Sequence, residues 1–226
     1  MGFDFEKFQQ TKAYDLLMGL PLIFWFGYVE GIRARPSLGY AARQLLEQPN
    51  SLYFNMRFIA LFASIAFNLL AVYLIVMRGN PVRRSKGWLP NVCGFVGTFL
   101  SVGIPYLGPV TLPFYWQVVS TVLLVVGSVG SFLVLAKLGR SFSILPEARL
   151  LVTGGPYALA RHPLYAVEIV TILGMAMLYK QPQASLLAAG VILMLVVRSH
   201  FEEKVLSEAY PEYAAYKARV KRFGFI

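Results

Sequence analysis

The feature that most constrains this chain is a run of fifty consecutive residues, 87–136, that contains no Asp, Glu, Lys or Arg. One membrane-spanning helix needs about 20 apolar residues, so this stretch alone is long enough to cross a bilayer twice. Over the whole chain of 226 residues, 57% are hydrophobic and only 14% are charged. A soluble domain of this length would carry more charge, so we predict an all-α, polytopic membrane helical bundle.

Apolar runs divide the chain into five to six predicted spans. They cover residues 16–32, 58–77, 89–106, 115–136, 163–179 and 184–197. The first run is short and contains Pro21, so it is either a full span or a re-entrant segment, and residues 33–57 after it are mixed in character. The last two runs predict a C-terminal helical hairpin, followed by a polar tail. We expect a single membrane domain, 1–226, with N-terminal spans in 1–137 and the hairpin, its preceding loop and the tail in 138–226.

The cations of the chain concentrate in two loops and the C-terminal tail, and the net charge is +10. The loop cations are Arg78, Arg83, Arg84 and Lys86, then Lys137, Arg140, Arg149 and Arg161. Cytoplasmic loops carry such an excess of Lys and Arg, so we expect a multi-pass integral membrane protein whose basic loops and C-terminus are cytoplasmic. The turn at residues 103–109 has no charge and is predicted to be non-cytoplasmic.

The positive charge is also attractive to anionic lipid headgroups. No stripe of Lys and Arg with interleaved aromatic residues is present, so we expect membrane lipids rather than nucleic acid as partners. The oligomeric state is left open. Cysteine and histidine are scarce: Cys93, His162 and His200 are the complete set. We therefore expect neither a disulfide framework nor a metal site.

A polar, cationic stretch at residues 154–165 interrupts the apolar C-terminal half. Gly154 and Gly155 before Pro156 predict a tight turn, and Pro163 is suited to the first position of a new helix. An exposed helix start beside Arg161 and His162 is a natural receptor for a carboxylate or a phosphate. The alternative interpretation is a loop whose cations merely follow membrane topology.

A second polar motif, residues 198–203, continues directly from the last apolar run. Arg198 and Glu202 are four residues apart and share a helix face. Alone, this motif favours an interfacial ion pair at the end of a span over a functional site. Because a closed hairpin returns its two ends to one surface, the two motifs together predict a pocket of cations, acids and the aromatic residues Tyr157 and Tyr165. Such a pocket suits a zwitterionic cosubstrate.

The order of these motifs resembles the integral-membrane methyltransferases, which include isoprenylcysteine carboxyl methyltransferases and phospholipid N-methyltransferases. The resemblance is carried by Leu138-Gly139-Arg140-Ser141-Phe142-Ser143, Leu151-Val152-Thr153, Gly155-Pro156-Tyr157, Arg161-His162-Pro163, Tyr165, Glu202-Glu203 and the tail residues Pro211, Glu212, Tyr213 and Tyr216. It covers about residues 138–222, and the first half matches only in hydropathy.

What the resemblance implies is a binding site for S-adenosylmethionine between the loop and the helix that follows the hairpin. Carried over residue by residue, the cofactor-binding set is Gly155, Pro156, Tyr157, Arg161, His162, Pro163, Tyr165 and Glu203. Arg198 and Glu202 would be the catalytic pair on the acceptor side. No metal is required, because the reaction is a displacement at a sulfonium methyl group in which positioning supplies most of the acceleration.

The acceptor is expected to be a lipophilic small molecule or a prenylated substrate that enters from the membrane. A carboxylate like that of isoprenylcysteine would be oriented by Arg198, which favours this acceptor over a phospholipid amine or a small thiol. An amine would need a base, for which Glu202 or His200 is the candidate. Two other classes stay open: an NADPH-dependent membrane reductase with a related hairpin, and a non-catalytic lipid-binding scaffold.

Near the site, the chain departs from the family pattern at a position that affects helix packing. The family commonly has glycine two residues after the motif tyrosine, whereas this chain has Val167, followed by Glu168. The larger side chain would narrow the cofactor pocket or change how the helix packs. In the preceding run, Gly127 and Gly130 lie near one face and predict close approach of a neighbouring helix.

Overall fold

The computed structural model describes residue 8, residues 11–47 and residues 51–224. Helix α1 (Lys12–Phe24) leads through a π-helical turn (Trp25–Val29) into α2 (Glu30–Glu47), followed by α3 (Leu52–Met77), α4 (Leu89–Leu100), α5 (Phe114–Leu138), α6 (Pro163–Met177), α7 (Gln183–Ala209) and α8 (Tyr213–Arg219). Short 3₁₀ segments lie at Ser101–Leu107, Gly139–Ser141 and Gly155–Ala158. Strands β1 (Arg83–Arg84) and β2 (Glu147–Ala148) form one small antiparallel pair.

Within the described residues, four helical stretches are long and apolar enough to cross a membrane. They are Leu52–Met77, Leu89–Leu107, Phe114–Ser141 and Gln183–Ala209. Pro163–Met177 is a shorter apolar helix, in the position predicted for the fifth span. The prediction of an all-α polytopic bundle with a C-terminal helical hairpin is confirmed.

The N-terminal region is helical beyond its first apolar run. The chain stays helical from Lys12 to Glu47, past the end of that run at residue 32, and this region is not among the four long apolar stretches. Charged residues end an apolar run without ending a helix, and residues 41–47 (Ala-Ala-Arg-Gln-Leu-Leu-Glu) are strong helix formers.

Close contact between α5 and α6 fixes the first arm of the hairpin. A Cβ atom on Gly127 would lie 2.6 Å from the backbone nitrogen of Thr171, and one on Gly130 would lie 2.9 Å from Cγ1 of Val167. Ser120 also donates a hydrogen bond to the carbonyl oxygen of Gly174, at 2.7 Å. The predicted close approach is confirmed, and Val167 packs against Gly130.

The two ends of the bundle differ in charge. At one end, strand β1 and strand β2 join the two basic loops, pairing Arg83 with Ala148 and Arg84 with Glu147. At the other end, Val110 donates to the carbonyl of Leu178 at 2.9 Å, and Lys180 donates to that of Gly108 at 3.2 Å. The uncharged turn therefore contacts the turn of the hairpin. The assignment of the basic end to the cytoplasm stays a prediction.

A buried charge network ties α1 to the two basic loops. Asp15 is 1% exposed and accepts hydrogen bonds from Arg78, at 3.0 Å from its Nε, and from Arg149. Arg149 also contacts Glu147 at 2.7 Å, and Glu147 pairs with Arg84. Burial raises the pKa of the Asp15 carboxyl, but Arg78 and Arg149 lower it by more, so this pKa lies below its usual value.

Two apolar clusters meet at the start of α6. Leu164 belongs to a cluster with Leu22, Ile75, Leu135 and Phe142, which joins α1, α3 and α5. The next residue, Tyr165, belongs to a second cluster with Ile104 and residues of the hairpin. The first turn of α6 is therefore held on both sides, which positions the polar residues immediately before it.

Candidate active site

The loop before α6 has the predicted turn. Gly155 has φ of +64°, a conformation that strongly favours glycine, and a Cβ atom there would lie 3.1 Å from Cε of Lys137. Pro163 is the first residue of α6 and His162 is its N-cap. The loop therefore presents Arg161 and His162 at the beginning of the helix, as the sequence predicted.

The hairpin brings the second motif to this loop. The hydroxyl of Tyr165 donates to Oε1 of Glu202 at 2.6 Å, and Nδ1 of His162 lies 3.7 Å from Oε2 of the same carboxylate. Nε of Arg198 donates to Glu202 at 2.9 Å, as their spacing on one helix face predicted. The expected meeting of the two motifs is confirmed, and Glu202 is where they touch.

Stacking fixes the ring of Tyr165. The His162 and Tyr165 rings are nearly parallel, with centroids 5.3 Å apart, and the Arg198 guanidinium lies 5.2 Å from the Tyr165 centroid. Arg198 also donates to the carbonyl oxygen of Ser143 at 2.7 Å. Its cation is thus shared between Glu202, an aromatic face and a backbone carbonyl, and it is 7% exposed.

Glu203 joins the loop to the C-terminal tail. Its carboxylate accepts from Arg161 at 2.9 Å and from Arg222 through two hydrogen bonds of 3.0 Å, while Lys217 lies at 3.2 Å. Nε2 of His162 is 3.3 Å away. The backbone nitrogens of Arg161 and His162 also donate to the carbonyls of residues 221 and 222, each at 2.9 Å. Glu203 therefore orients Arg161 and holds the tail across the loop.

A cavity of about 390 Å³ opens beside this cluster. Of the predicted site residues, Tyr157, Arg161, His162, Tyr165, Arg198 and Glu202 line it. Gly155, Pro156, Pro163 and Glu203 are not in its wall and act by shaping the loop and by pairing with Arg161. The cavity continues between the helices, where its wall includes Phe26, Phe67, Ile172 and Met175. One space thus connects a polar mouth to an apolar interior.

Several residues of this site were not predicted from the sequence. Tyr213 and Tyr216 are buried and line the cavity, although the resemblance did not place them in the cofactor-binding set. The hydroxyl of Tyr216 donates to the carbonyl oxygen of Tyr157 at 2.6 Å, and burial raises the pKa of Tyr216 to about 12. Their spacing of three residues on one face of α8 was the available signal. No comparable sequence pattern indicated that Arg222 would contact the site.

Burial also raises the pKa of the Tyr157 hydroxyl, and the nearby charge of Glu202 adds to the effect. Both tyrosines therefore stay protonated well above neutral pH; Tyr216 donates its proton to the loop, and the Tyr157 hydroxyl faces the cavity as a donor. His200, by contrast, is exposed and outside the cavity wall, with its Nε2 2.8 Å from the Arg222 guanidinium. This position removes the geometric basis for His200 as a base.

Buried polar atoms without a hydrogen-bond partner gather round the cavity. Among the described residues, those in its wall are Trp25 Nε1, Ser131 Oγ, Ser141 Oγ, Arg149 Nε, His162 Nε2 and Tyr213 OH. Unpaired buried donors are costly, and a bound molecule with acceptor groups would satisfy them. Within the described part of the chain, no group of three or more His, Cys, Asp or Glu side chains is placed to hold a metal ion.

Comparison with known proteins assigns the region that contains this site. Residues 115–213 match the family model described as phospholipid methyltransferase. Phosphatidyl-N-methylethanolamine N-methyltransferase of Neurospora crassa is 33% identical over 84 residues, which are 37% of this chain and 36% of that protein. The matched segment is thus similar to phospholipid methyltransferases, in agreement with the resemblance seen in the sequence motifs.

Two bacterial resistance proteins are similar over a longer stretch. The cobalt-zinc-cadmium resistance protein CzcN of Cupriavidus metallidurans is 37% identical over 110 residues, and the nickel-cobalt-cadmium resistance protein NccN of Alcaligenes xylosoxydans xylosoxydans is 36% identical over 110 residues. Each match covers 46% of this chain, with 50% of CzcN and 51% of NccN. The chain therefore spans about half the length of these two curated relatives.

Proposed function

We propose that this protein transfers a methyl group from S-adenosylmethionine to a lipophilic acceptor in the membrane. The observation that carries the proposal is the single cavity that joins the polar cluster at the loop to the apolar interior of the bundle. A polar cosubstrate and an apolar acceptor have to meet in such a space. The superfamily match over residues 115–213 supports the same reaction class.

The residues present fit S-adenosylmethionine. The first turn of α6, which begins beside His162, suits a carboxylate, while Glu202 and the aromatic faces suit cationic groups. Arg161 is held by Glu203 and by the carbonyls of Lys217 and Val220, so it fixes the shape of the loop beside that turn. Tyr157 and Tyr213 lie in the same wall and offer hydroxyl donors and stacking surfaces for a ring system. The cofactor supplies an electrophilic methyl group on its sulfonium sulfur. Gly155, Pro156 and Pro163 shape the loop that would receive it, and Glu203 fixes Arg161.

The contribution of the chain to the reaction is positioning and exclusion of water. Tyr165 is held by a ring stack, a cation and a hydrogen bond, so its hydroxyl has one defined place. Arg198 and Glu202 fix each other on one helix face. Fixed reactants gain a large effective concentration, and a dry cavity strengthens each electrostatic contact.

The acceptor is lipophilic because much of the cavity wall between the helices is apolar, with a few polar residues such as Ser64 and Asn68 among the apolar ones. A prenylated carboxylate was favoured from the sequence because Arg198 offered a cation. In the structure that cation is already paired with Glu202 and bonded to the Ser143 carbonyl. The match to phospholipid methyltransferases supports a phospholipid amine instead. We place the reaction at the cytoplasmic surface, since the basic loops surround the mouth.

Calorimetric binding of S-adenosylhomocysteine to the detergent-purified protein tests the proposal. We expect micromolar binding to the wild type and at least a tenfold weaker affinity for His162→Ala, because His162 lies in the cavity wall and stacks on Tyr165. His200→Ala is the matched control, since this exposed histidine is outside the cavity, and it should bind as the wild type does.

The same titration with NADPH separates the alternatives. Binding of NADPH without S-adenosylhomocysteine would assign the site to a reductase. If folded wild-type protein bound neither molecule, the proposal would be rejected and a lipid-binding scaffold would be the better account. Equal loss of affinity in His162→Ala and His200→Ala would show that the cavity is not the binding site.

A further inference from the structure

Among the residues that the structure describes, Glu168 is the carboxylate of the cavity wall that has no hydrogen bond or ion pair. Glu147 contacts Arg84 and Arg149, and Glu202 contacts Arg198 and Tyr165. Within residues 11–47 and 51–224, no hydrogen bond or ion pair reaches the Glu168 carboxylate, although its side chain lines the cavity. An ionised carboxylate in an apolar wall is costly unless it is paired. The site is therefore built for something that supplies the missing partner.

The position of Glu168 separates it from the predicted cofactor residues. It follows Tyr165 by three residues on α6, which places it about 4.5 Å further along the helix axis, away from the loop. Thr171, Ile172 and Met175 continue the same cavity wall beyond it. Glu168 thus lies between the polar mouth and the apolar interior, where the reacting head of a lipophilic acceptor has to lie.

We propose that Glu168 binds the amino group of the acceptor and accepts its proton during methyl transfer. This inference rests on the proposed function and names a residue and an acceptor class within it. A carboxylate attracts an ammonium group and repels a carboxylate or thiolate acceptor. Arg198, the cation that would have bound an acidic acceptor, is already held by Glu202. The local charge therefore selects amines.

The transfer step balances with Glu168 as the proton acceptor. Glu168 first accepts a proton from the bound ammonium group, which leaves a neutral amine and a neutral carboxylic acid. The nitrogen lone pair then forms the new N–C bond while the S–CH₃ bond breaks, and the sulfur keeps that bonding pair. The product is the methylated ammonium, and the Glu168 acid later releases its proton to water. General base catalysis of this kind contributes about 10²- to 10⁴-fold in rate.

The experiment compares Glu168→Gln with the wild type on two acceptors, phosphatidylethanolamine and a prenylated cysteine carboxylate, in mixed micelles. We expect kcat for the amine to fall at least 100-fold, with S-adenosylhomocysteine affinity within about twofold of the wild type. Glu208→Gln, a surface residue paired with Arg83, is the matched control and should retain wild-type activity. If the wild type preferred the carboxylate acceptor, the inference about Glu168 and amines would be wrong, while the proposed methyl transfer would still stand.

A binding measurement without turnover gives a second readout. Trp25 lines the same cavity, so its fluorescence should report occupation by a lipid with a quaternary ammonium head. We expect this lipid to bind at least tenfold more weakly to Glu168→Gln than to the wild type. Unchanged lipid binding together with weakened S-adenosylhomocysteine binding would assign Glu168 to the cofactor and refute the proposal. Failure of the wild type to bind S-adenosylhomocysteine would instead reject the proposed function.

Discussion

The packing of α5 against α6 gives a prediction that distinguishes two glycines of α5, Gly127 and Gly130, which lie three residues apart. At Gly130, an added Cβ atom meets Cγ1 of Val167 at 2.9 Å, and that atom belongs to a side chain that can be shortened. At Gly127, an added Cβ atom meets the backbone nitrogen of Thr171 at 2.6 Å and its Cα at 2.8 Å. Backbone atoms cannot be removed by mutation, so only the first clash should be reversible.

The size of each effect follows from these contacts. Ordinary carbon contacts begin near 3.5 Å, so Gly130→Ala requires a shift of about 0.6 Å and Gly127→Ala a shift of about 0.9 Å of helix backbone. Overpacking typically costs about 1–3 kcal/mol of unfolding free energy. We therefore expect Gly130→Ala to lie within this range and Gly127→Ala to lie at or above its upper end.

Thermal unfolding in detergent measures the effects, with S-adenosylhomocysteine affinity as the functional readout. Gly130→Ala with Val167→Ala should recover most of the stability that Gly130→Ala loses, because the Cγ1 contact disappears. Gly127→Ala with Thr171→Ala should recover little, since the backbone contacts remain. Cofactor affinity should fall with stability at Gly127, because α6 carries Tyr165 into the cavity wall.

If the changes in unfolding free energy of the single mutants simply added up in both double mutants, the reasoning would be refuted, because contacting residues should show a coupling energy of about 0.5–3 kcal/mol. Wild-type stability of Gly127→Ala would show that the helices are further apart than the structure places them. Val167→Ala alone is the control for the cavity left by the shorter side chain, and it should cost only about 1 kcal/mol.

Two further predictions concern buried carboxylates. Asp15→Asn should lower the unfolding free energy by about 3–5 kcal/mol, measured by thermal unfolding, because Arg78 and Arg149 would lose their charged partner. The pKa of Asp15 is lower in the folded state than in the unfolded state. Its contribution to the free energy of unfolding is therefore fully present above the unfolded pKa of about 4 and is lost as the pH falls through the folded value. A free energy of unfolding that rose as the pH fell below about 4 would contradict this expectation. Glu203→Gln should speed tryptic cleavage in residues 217–222 by several-fold, because the carboxylate that holds Arg161 and Arg222 is removed. Cleavage at the wild-type rate would show that backbone hydrogen bonds alone hold the tail.

The central part of the site was predictable because it depends on local order along the chain. The sequence places a loop, a short apolar helix, a turn and a second helix in succession, and a closed hairpin must bring Tyr165 near Glu202. The helix start at Pro163 and the shared face of Arg198 and Glu202 follow from rules that span only a few residues. These inferences needed no knowledge of the other helices.

The remaining parts of the site depend on contacts between distant segments. Asp15 and Arg149 are 134 residues apart, and no pattern within either segment indicates the other. The burial of Tyr213 and Tyr216 depends on where α8 docks, which its composition does not determine. Val167 is similar: its side chain is compatible with the bundle because Gly130 faces it, and this pairing was visible only after α5 and α6 were placed together.

The network around Asp15 has a consequence for how this chain can be recombined with others. The segment that matches the methyltransferase family begins at residue 115, whereas one of the two acids that pair with its buried Arg149, Asp15, comes from the first helix. The other acid, Glu147, is shared with Arg84. A chimera that joined residues 115–213 to a different N-terminal half would bury that arginine without Asp15 unless the donor supplied an acid at the same place. The N-terminal half therefore supplies part of the charge balance of the segment that matches the family, and the two would have to be exchanged together.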